Sequence, residues 1–323
     1  MTSVCIPFSL WTAHGPEAAV LAKAELPHVR AWLNQAQRVA VDQAVPKAPW
    51  LATLSLPHER AWAQEAGWTV EDGCMPWAAM AAAKLGLSGS GWAFITLCNW
   101  HVSNGQVTLG DPDQLQIDAA TDATLFDTMR DFFAEDGIVL HRYQTGQWLA
   151  QSPLLVNLPT ASIDRVMGRN IDPWLVGGHS ATHDLSPAAK LLRRLQNEMQ
   201  MLLYTHAVNE GRKLAINSFW VHGTGELPPA ASPAAPTWVT TLRQSALQQD
   251  FVGWLEAWQH VDAEVIAPLL AHAATGEPQR LVLCGEHACH VYARATPSLW
   301  QRLRMHLAPP SLDTVLAVAP LKD

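Results

Sequence analysis

Residues 281–291, LVLCGEHACHV, place Cys284, Glu286, His287, Cys289 and His290 within seven residues. Thiolate and imidazole suit zinc, and carboxylate suits harder ions, so every one of these side chains is a metal ligand by type. A site needs three or four of them to converge. On one continuous strand Cys284, Glu286 and His290 share a face, and His287 and Cys289 take the other. A two-residue hairpin turn at Gly285-Glu286 would instead split the group between two strands. Both arrangements remain open. Glu286, His287 and His290 are the set that would hold Mn or Zn if a metal is bound; otherwise no cofactor is expected.

Two further clusters are weaker. GGHSATHD sets His179 and His183 at i, i+4, a metal pair on a helix, yet the Gly, Ser, Thr and Asp around them read as a loop before an N-cap. HGTG at 222–225 follows a strand and could offer backbone N–H groups to a phosphate, but it lacks the rest of a phosphate-loop motif. No G-x-S-x-G elbow occurs.

The richest polar stretch is THAVNEGRKLAINSFWVHGTG, residues 205–225. Asn209 and Gly211 suit a helix C-terminus. Turn chemistry does not account for Arg212 and Asn217 ahead of a strand with His222 at its far end. Alternation puts Asn217, Phe219 and Val221 on one face and Ser218, Trp220 and His222 on the other. Polar side chains on both faces near strand ends fit a cleft lining.

The elements that must position these groups follow from periodicity. Residues 4–11 read as a short strand. Residues 16–36 read as one helix with Pro16 near its start, and 57–66 and 76–86 as two shorter helices. From residue 89 the pattern turns to β, with a hairpin at Asn104-Gly105, a helix over 119–135 and a second strand pair about a Thr-Gly turn in GIVLHRYQTGQWLA. Strand, strand, helix, strand, strand is an α+β module with an antiparallel sheet. Residues 151–185 form a long polar connection. Ser186-Pro187 opens a helix whose stripe of Leu191, Leu192, Leu195, Met199, Leu202 and Leu203 runs on towards Asn209-Glu210-Gly211. A Pro/Ala-rich linker follows near 226–238. The tail reads as helices near 241–258, 262–274 and 298–307 and a strand pair around residue 285.

Composition narrows the function classes. With 323 residues the chain exceeds one small core. Hydrophobic residues are 49% and charged residues 15%, which is a core-forming chain. A net charge of −8 gives no general attraction for nucleic acid or anionic lipid, so neither is an expected partner. No apolar run is long enough to span a membrane and no signal peptide is read at the N-terminus. Five cysteines without C-x-x-C spacing fit free thiols, and a cytoplasmic location is expected. The 15 tryptophans are scattered through apolar periodic segments and read as core and interface filling.

HAVNEGRKLAINSFWVHGTG resembles the H-P-x-N-x-x-R…N-x-x-W-x-x-G-x-G signature of archaeal-type cofactor-independent phosphoglycerate mutases, at His206, Asn209, Arg212, Asn217, Trp220, Gly223 and Gly225. ITLCNWHVSNGQVTLGD is similar to that family's R-C-N strand, with Asn99 matching and Leu97 replacing the arginine. HRYQTGQW resembles its G-Y-R strand with Arg142 and Tyr143 in inverted order, and Asp172-Pro173 lies where the family has P-H-D. In layout the chain is also similar to RpfE-type regulatory proteins, a proteobacterial group related to these mutases.

The resemblance implies an α/β fold: an alkaline-phosphatase-like domain over 1–88 and 217–323, with an inserted α+β domain over 89–216. In that family two divalent metals and a Ser/Thr nucleophile move a phosphoryl group. The family's D-G-x-x-D corresponds here to CIPFSLWTAHG, with no acid before Glu17, and Asp42 continues a helical-looking stretch. The late D-H-x-T-P has only the echo GEHACH. The expectation is a degenerate phosphatase-like domain and a persisting substrate-side insertion. It would bind a small anionic or phosphorylated ligand, or a protein partner, in a regulatory role. Arg142, Arg169 and Arg212 would supply charge, and Asn99, Asp172, Asn209, Asn217 and His222 would position the ligand. The alternatives are an active mutase or phosphatase with a rebuilt metal site, and a Trp-rich interaction protein.

Overall fold

A computed structural model describes residues 2–12, 16–43, 53–103, 105–178, 185–228, 236–272, 277–294 and 311–318. In chain order the elements begin with β1 (Thr2–Ile6), β2 (Trp11–Thr12), α1 (Pro16–Ala22), α2 (Pro27–Leu33), β3 (Gln37–Gln43), α3 (Pro57–Glu65) and α4 (Trp77–Lys84). Then come β4 (Trp92–Cys98), β5 (Trp100–Ser103), β6 (Gln106–Leu109), α5 (Ala119–Glu135), β7 (Val139–Gln144), β8 (Gln147–Gln151), the single turn α6 (Ile163–Val166) and α7 (Pro187–Tyr204). The rest are β9 (Ser218–Gly225), β10 (Thr237–Trp238), α8 (Arg243–Leu247), α9 (Phe251–Val261), α10 (Ala267–His272), β11 (Gln279–Cys284), β12 (Ala288–Arg294), α11 (Leu312–Leu316) and β13 (Ala317–Val318). A π-helical segment, Asp262–Ile266, joins α9 to α10.

The mixed α/β chain divides into two compact units, residues 1–52, 56–68 and 231–323, and residues 53–55 and 69–230. The division falls at 69 and 230, whereas the sequence placed it at 89 and 216. Hydrogen bonding explains the shift. β9 pairs antiparallel with β4, in register Ile95 with Val221 and Leu97 with Phe219, and α4 packs on both strands. Residues 69–88 and 217–230 therefore belong to the same sheet-and-helix body as the hairpins.

The first unit is built on a five-stranded sheet ordered β10-β1-β11-β12-β3. β10, β1 and β11 run parallel, and β12 and β3 antiparallel. One face carries Val4, Ile6, Leu281, Leu283 and Tyr292 into a core with Val29, Trp32, Trp254 and Trp258. Buried indole N–H groups find acceptors there: Trp32 Nε1 donates to Gln279 Oε1 at 3.0 Å, and Trp254 Nε1 to the Phe8 carbonyl at 2.7 Å. The other face sets Cys5, Val282, Cys284, Cys289 and Val291 against Ala61 of α3. The expected single helix over 16–36 is two helices. Pro27 disfavours helical backbone at the residue before it, and Leu26 sits at φ −122°, ψ 72°. Asp42, read as helical, lies on edge strand β3 and bonds Arg60 at 3.1 Å.

The second unit is an antiparallel sheet ordered β7-β8-β4-β9. Ala93, Ile95, Leu97, Trp148, Phe219 and Val221 face α5 and α7, which meet them with Leu125, Met129, Phe133, Leu192, Leu195 and Met199. Each such large side chain stabilises the unit by about 1.5–3 kcal/mol on burial. Ser186 caps α7 by accepting from Ala189 N at 3.2 Å, with Pro187 at the first helical position. On the opposite face Trp92, Phe94 and Leu149 meet the alanines of α4. The first β-rich run of the sequence is split: β4 enters this sheet, and β5 turns away to pair with β6.

Candidate functional site

Three of the predicted ligand-positioning residues are asparagines, and all three are bonded to main chain. Asn217 Oδ1 accepts from Trp100 N at 2.7 Å, and its Nδ2 donates to Trp100 O at 2.9 Å. Asn209 Oδ1 accepts from Ile216 N at 2.8 Å, while its Nδ2 reaches the carbonyls of Leu203 and Ile216, each at 2.9 Å. Asn99 Nδ2 donates to Ala215 O at 2.7 Å. An amide both donates and accepts, so it can replace a missing rung of a ladder. Together they fasten the 205–217 connection to the ends of β4 and β5. Arg212 joins the same clasp through the Leu115 carbonyl and lies close enough to Asp118 to favour its ionised form, after the larger effect of Thr121. The four residues converge, but on backbone.

His222 stands apart from that clasp, on the α4 face of the sheet. Its Nε2 is 2.9 Å from Thr96 Oγ1, which also accepts from Gln147 Nε2 at 2.9 Å. Phe94 lies against the imidazole at 5.3 Å and against Tyr143 at 5.5 Å. Register places Ser218 opposite Cys98 on this same face. The Ser218 hydroxyl is fully buried and has no hydrogen-bond partner among the described residues. Among the described residues Trp100 Nε1 has no nitrogen or oxygen acceptor either; its N–H meets the Cys98 sulfur, whose thiol burial pushes far above the ordinary range. Trp220, between Ser218 and His222, donates its own indole N–H to Ala161 O at 2.9 Å. The result is a strip of donors and rings: Ser218, Trp100, Thr96 and His222, with Gln147 and Tyr143 half-buried at its side.

Arg142 is not part of this strip. It projects from the other face of the sheet, 4.2 Å over the Phe126 ring, and pairs with Asp122 at 3.5 Å and Asp127 at 3.2 Å. Its charge is thereby balanced. Arg169 and Asp172 lie in the segment beside β6, which is joined to it by bridges from Leu109 to Met167 and from Thr108 to Asn170. Asp172 is exposed and opens a 3-10 turn. HGTG is a buried strand end rather than a phosphate loop. Gly225, at φ 136°, lets the Cys74 carbonyl come within 2.6 Å of where a Cβ would stand, and Thr224 Oγ1 bonds Leu158 O at 2.6 Å.

The metal-type residues separate as well. Glu286-His287 forms the two-residue turn of the β11–β12 hairpin, closed by Gly285 N donating to Ala288 O at 2.8 Å. Glu286 and His287 pair with each other at 3.3 Å. His290, opposite Leu283, is buried beside Tyr292, where desolvation and then the Arg38 charge hold its imidazole below the usual range. Glu286, His287 and His290 therefore do not form one ligand set. Among the described residues no group of three or more His, Cys, Asp or Glu is placed to hold a metal. His179 and His183 lie outside the described residues.

No family model matches the sequence, and no curated protein matches it. Among solved structures, the fold resembles a cofactor-independent phosphoglycerate mutase from Thermoplasma acidophilum DSM 1728, at 12% identity over 93% of this chain and 91% of that one, with a TM-score of 0.38. The likeness is distant.

Sequence reading placed Ser218 on the His222 face but missed Thr96, Gln147 and Arg165. Thr96 and Gln147 lie among apolar neighbours in strands, where period two marks a face but not its polarity partners. Arg165 is 2% exposed; its guanidinium reaches Ser55 O at 3.3 Å and sits 5.9 Å from the Trp174 ring. No local pattern in SIDRVMG announces that burial. The tryptophans do fill cores: Trp11, Trp32, Trp62, Trp92, Trp148, Trp220, Trp254 and Trp258 are all buried. Among the described residues no helix is long and apolar enough to cross a membrane.

Proposed function

We propose that this chain is a phosphoglycerate-mutase-like protein of RpfE type, with no two-metal phosphotransfer centre, that binds a small anionic or phosphorylated ligand and acts through that binding as a regulator. On this reading the first unit is a reduced alkaline-phosphatase-like domain and the second is its substrate-side insertion. The observation that carries the reading is the Ser218 hydroxyl, fully buried without a partner among the described residues, on the strand face that holds the His222–Thr96 pair. A buried donor without an acceptor costs about 1–3 kcal/mol, and a ligand oxygen offsets that cost. Hydroxyl, indole N–H and imidazole are all suited to anionic oxygen. The mutase-type motif supports the same strand, since Trp220 and Asn217 flank Ser218 in it.

Thermal shift and calorimetry with inorganic phosphate and phosphoglycerates test the proposal. Saturation at 100 times Kd is expected to stabilise the protein by about 2.7 kcal/mol. His222→Gln removes the imidazole while keeping a polar side chain, and should weaken binding about tenfold or more. Arg142→Ala should leave binding intact. Equal shifts for wild type and His222→Gln, or no shift with any of these anions, would count against the ligand site. Manganese-dependent turnover lost to a chelator would favour an active mutase or phosphatase instead.

A further inference from the structure

Three of the chain's thiols meet inside the first unit. Cys284 and Cys289 are direct cross-strand partners in the β11–β12 hairpin, with Sγ atoms 2.8 Å apart. The hairpin hydrogen bond falls on the neighbouring pair, Gly285 with Ala288. Cys284 and Cys289 are therefore a non-hydrogen-bonded pair, the kind whose Cα atoms come within about 4.5 Å. That lies inside the roughly 4.4–6.8 Å window a disulfide accepts without backbone movement. Cys5, on the next strand, touches Cys284 from the other side, its register partner being Val282. All three are free and buried.

We infer that Cys284 and Cys289 form an oxidisable dithiol that closes to a cross-strand disulfide when a hydroperoxide reaches the hairpin, with Cys5 left as a thiol. The first step makes a sulfenic acid: one thiol takes an oxygen from the peroxide, the O–O bond breaks, and water or an alcohol leaves. The second thiol then attacks that sulfur, the S–S bond forms and the sulfenic oxygen leaves as water. Two electrons pass from the sulfurs to the peroxide. Burial pushes the Cys284 thiol well up, so little thiolate is present in the closed hairpin. Oxidation therefore proceeds through opening of the adjoining Glu286-His287 turn, whose side chains are half-exposed. A small peroxide is favoured over a bulky disulfide for the same reason.

The sequence makes the test direct. Trypsin cutting after Arg280 and Arg294 releases residues 281–294 with both cysteines in one peptide. The full chain is treated with hydrogen peroxide, quenched, denatured, alkylated and digested. The expected product is this peptide unalkylated and about 2 mass units light, reversed by dithiothreitol, with Cys5 alkylated. Cys5→Ser should form the same product, and Cys289→Ser should give none. Full alkylation of both cysteines after treatment that oxidises an exposed thiol control to completion overturns the inference. So does a Cys5–Cys284 link in the wild type. Oxidation is read by mass alone, so its failure is separate from failure of the ligand site.

Discussion

Asparagine is the residue whose role changes most between sequence and structure. Asn99, Asn209 and Asn217 sit at motif positions that suggest ligand contact, yet each stands in for strand or turn hydrogen bonds. Spacing reveals that an amide is needed at a place; it does not reveal whether its partner is a ligand or a carbonyl. Asn217→Ala leaves both polar groups of Trp100 without their side-chain partner. A loss of about 2–4 kcal/mol in denaturant melts is expected, with ligand affinity in the still-folded fraction little changed. Unchanged stability with abolished binding would return Asn217 to the ligand. His290 gives a pH signature. Its folded pKa is lowered by burial and then by Arg38, so the unfolded chain takes up a proton first as pH falls. Stability should be level above the unfolded value near 6.5 and decline as pH drops through it towards the folded value. His290→Leu should flatten that decline in thermal melts between roughly pH 7 and 5.

At the scale of elements, strong local signals carried well. The helix expected over 119–135 is α5, Ser186-Pro187 opens α7, and the Thr-Gly turn joins β7 to β8. Ser186→Ala should cost about 1 kcal/mol, measured by urea unfolding. What was not legible depends on tertiary partners. Pro27 broke a helix that periodicity alone ran on to residue 36. β3 became a strand because β12 offers it an edge, in a stretch with helix-compatible composition. β4 and β5 read as one run, since their separation rests on where Asn99 and Asn217 pin the chain. The expected helix over 298–307 lies outside the described residues. Gly225→Ala joins a positive φ to a clash with the Cys74 carbonyl. It should destabilise the unit more than any single cap deletion, as read in the same urea series.

At the scale of the molecule, the two units have separate cores, and this governs what can be made alone. The α5–α7–sheet core draws all its residues from 93–221, and α4 covers the other face from 78–82. Residues 69–230 expressed alone should fold cooperatively, with a single denaturant transition and native near-ultraviolet circular dichroism from Trp148 and Trp220. A fragment that shows helix signal but no fixed aromatic signal would contradict this. The α+β character of the middle region was readable from the order of periodic segments, while the mixed α/β character of the whole was an expectation of the family resemblance. The domain limits were not, because they are set by which strands bond to one another.

The first unit's sheet has a consequence for how the chain comes into being. β1 emerges from the ribosome well before its partner β11, which is separated from it by most of the chain: the Ser9 hydroxyl bonds the Cys284 carbonyl across 275 residues. Non-local pairing of this kind is slow to close. The middle unit, complete by residue 230, can form while β1 and its neighbours still await their strands. During that interval the apolar face of Val4, Ile6 and Phe8 is without its core. Synthesis itself therefore creates a window in which that apolar face is exposed, and slowing translation beyond residue 230 should lengthen it.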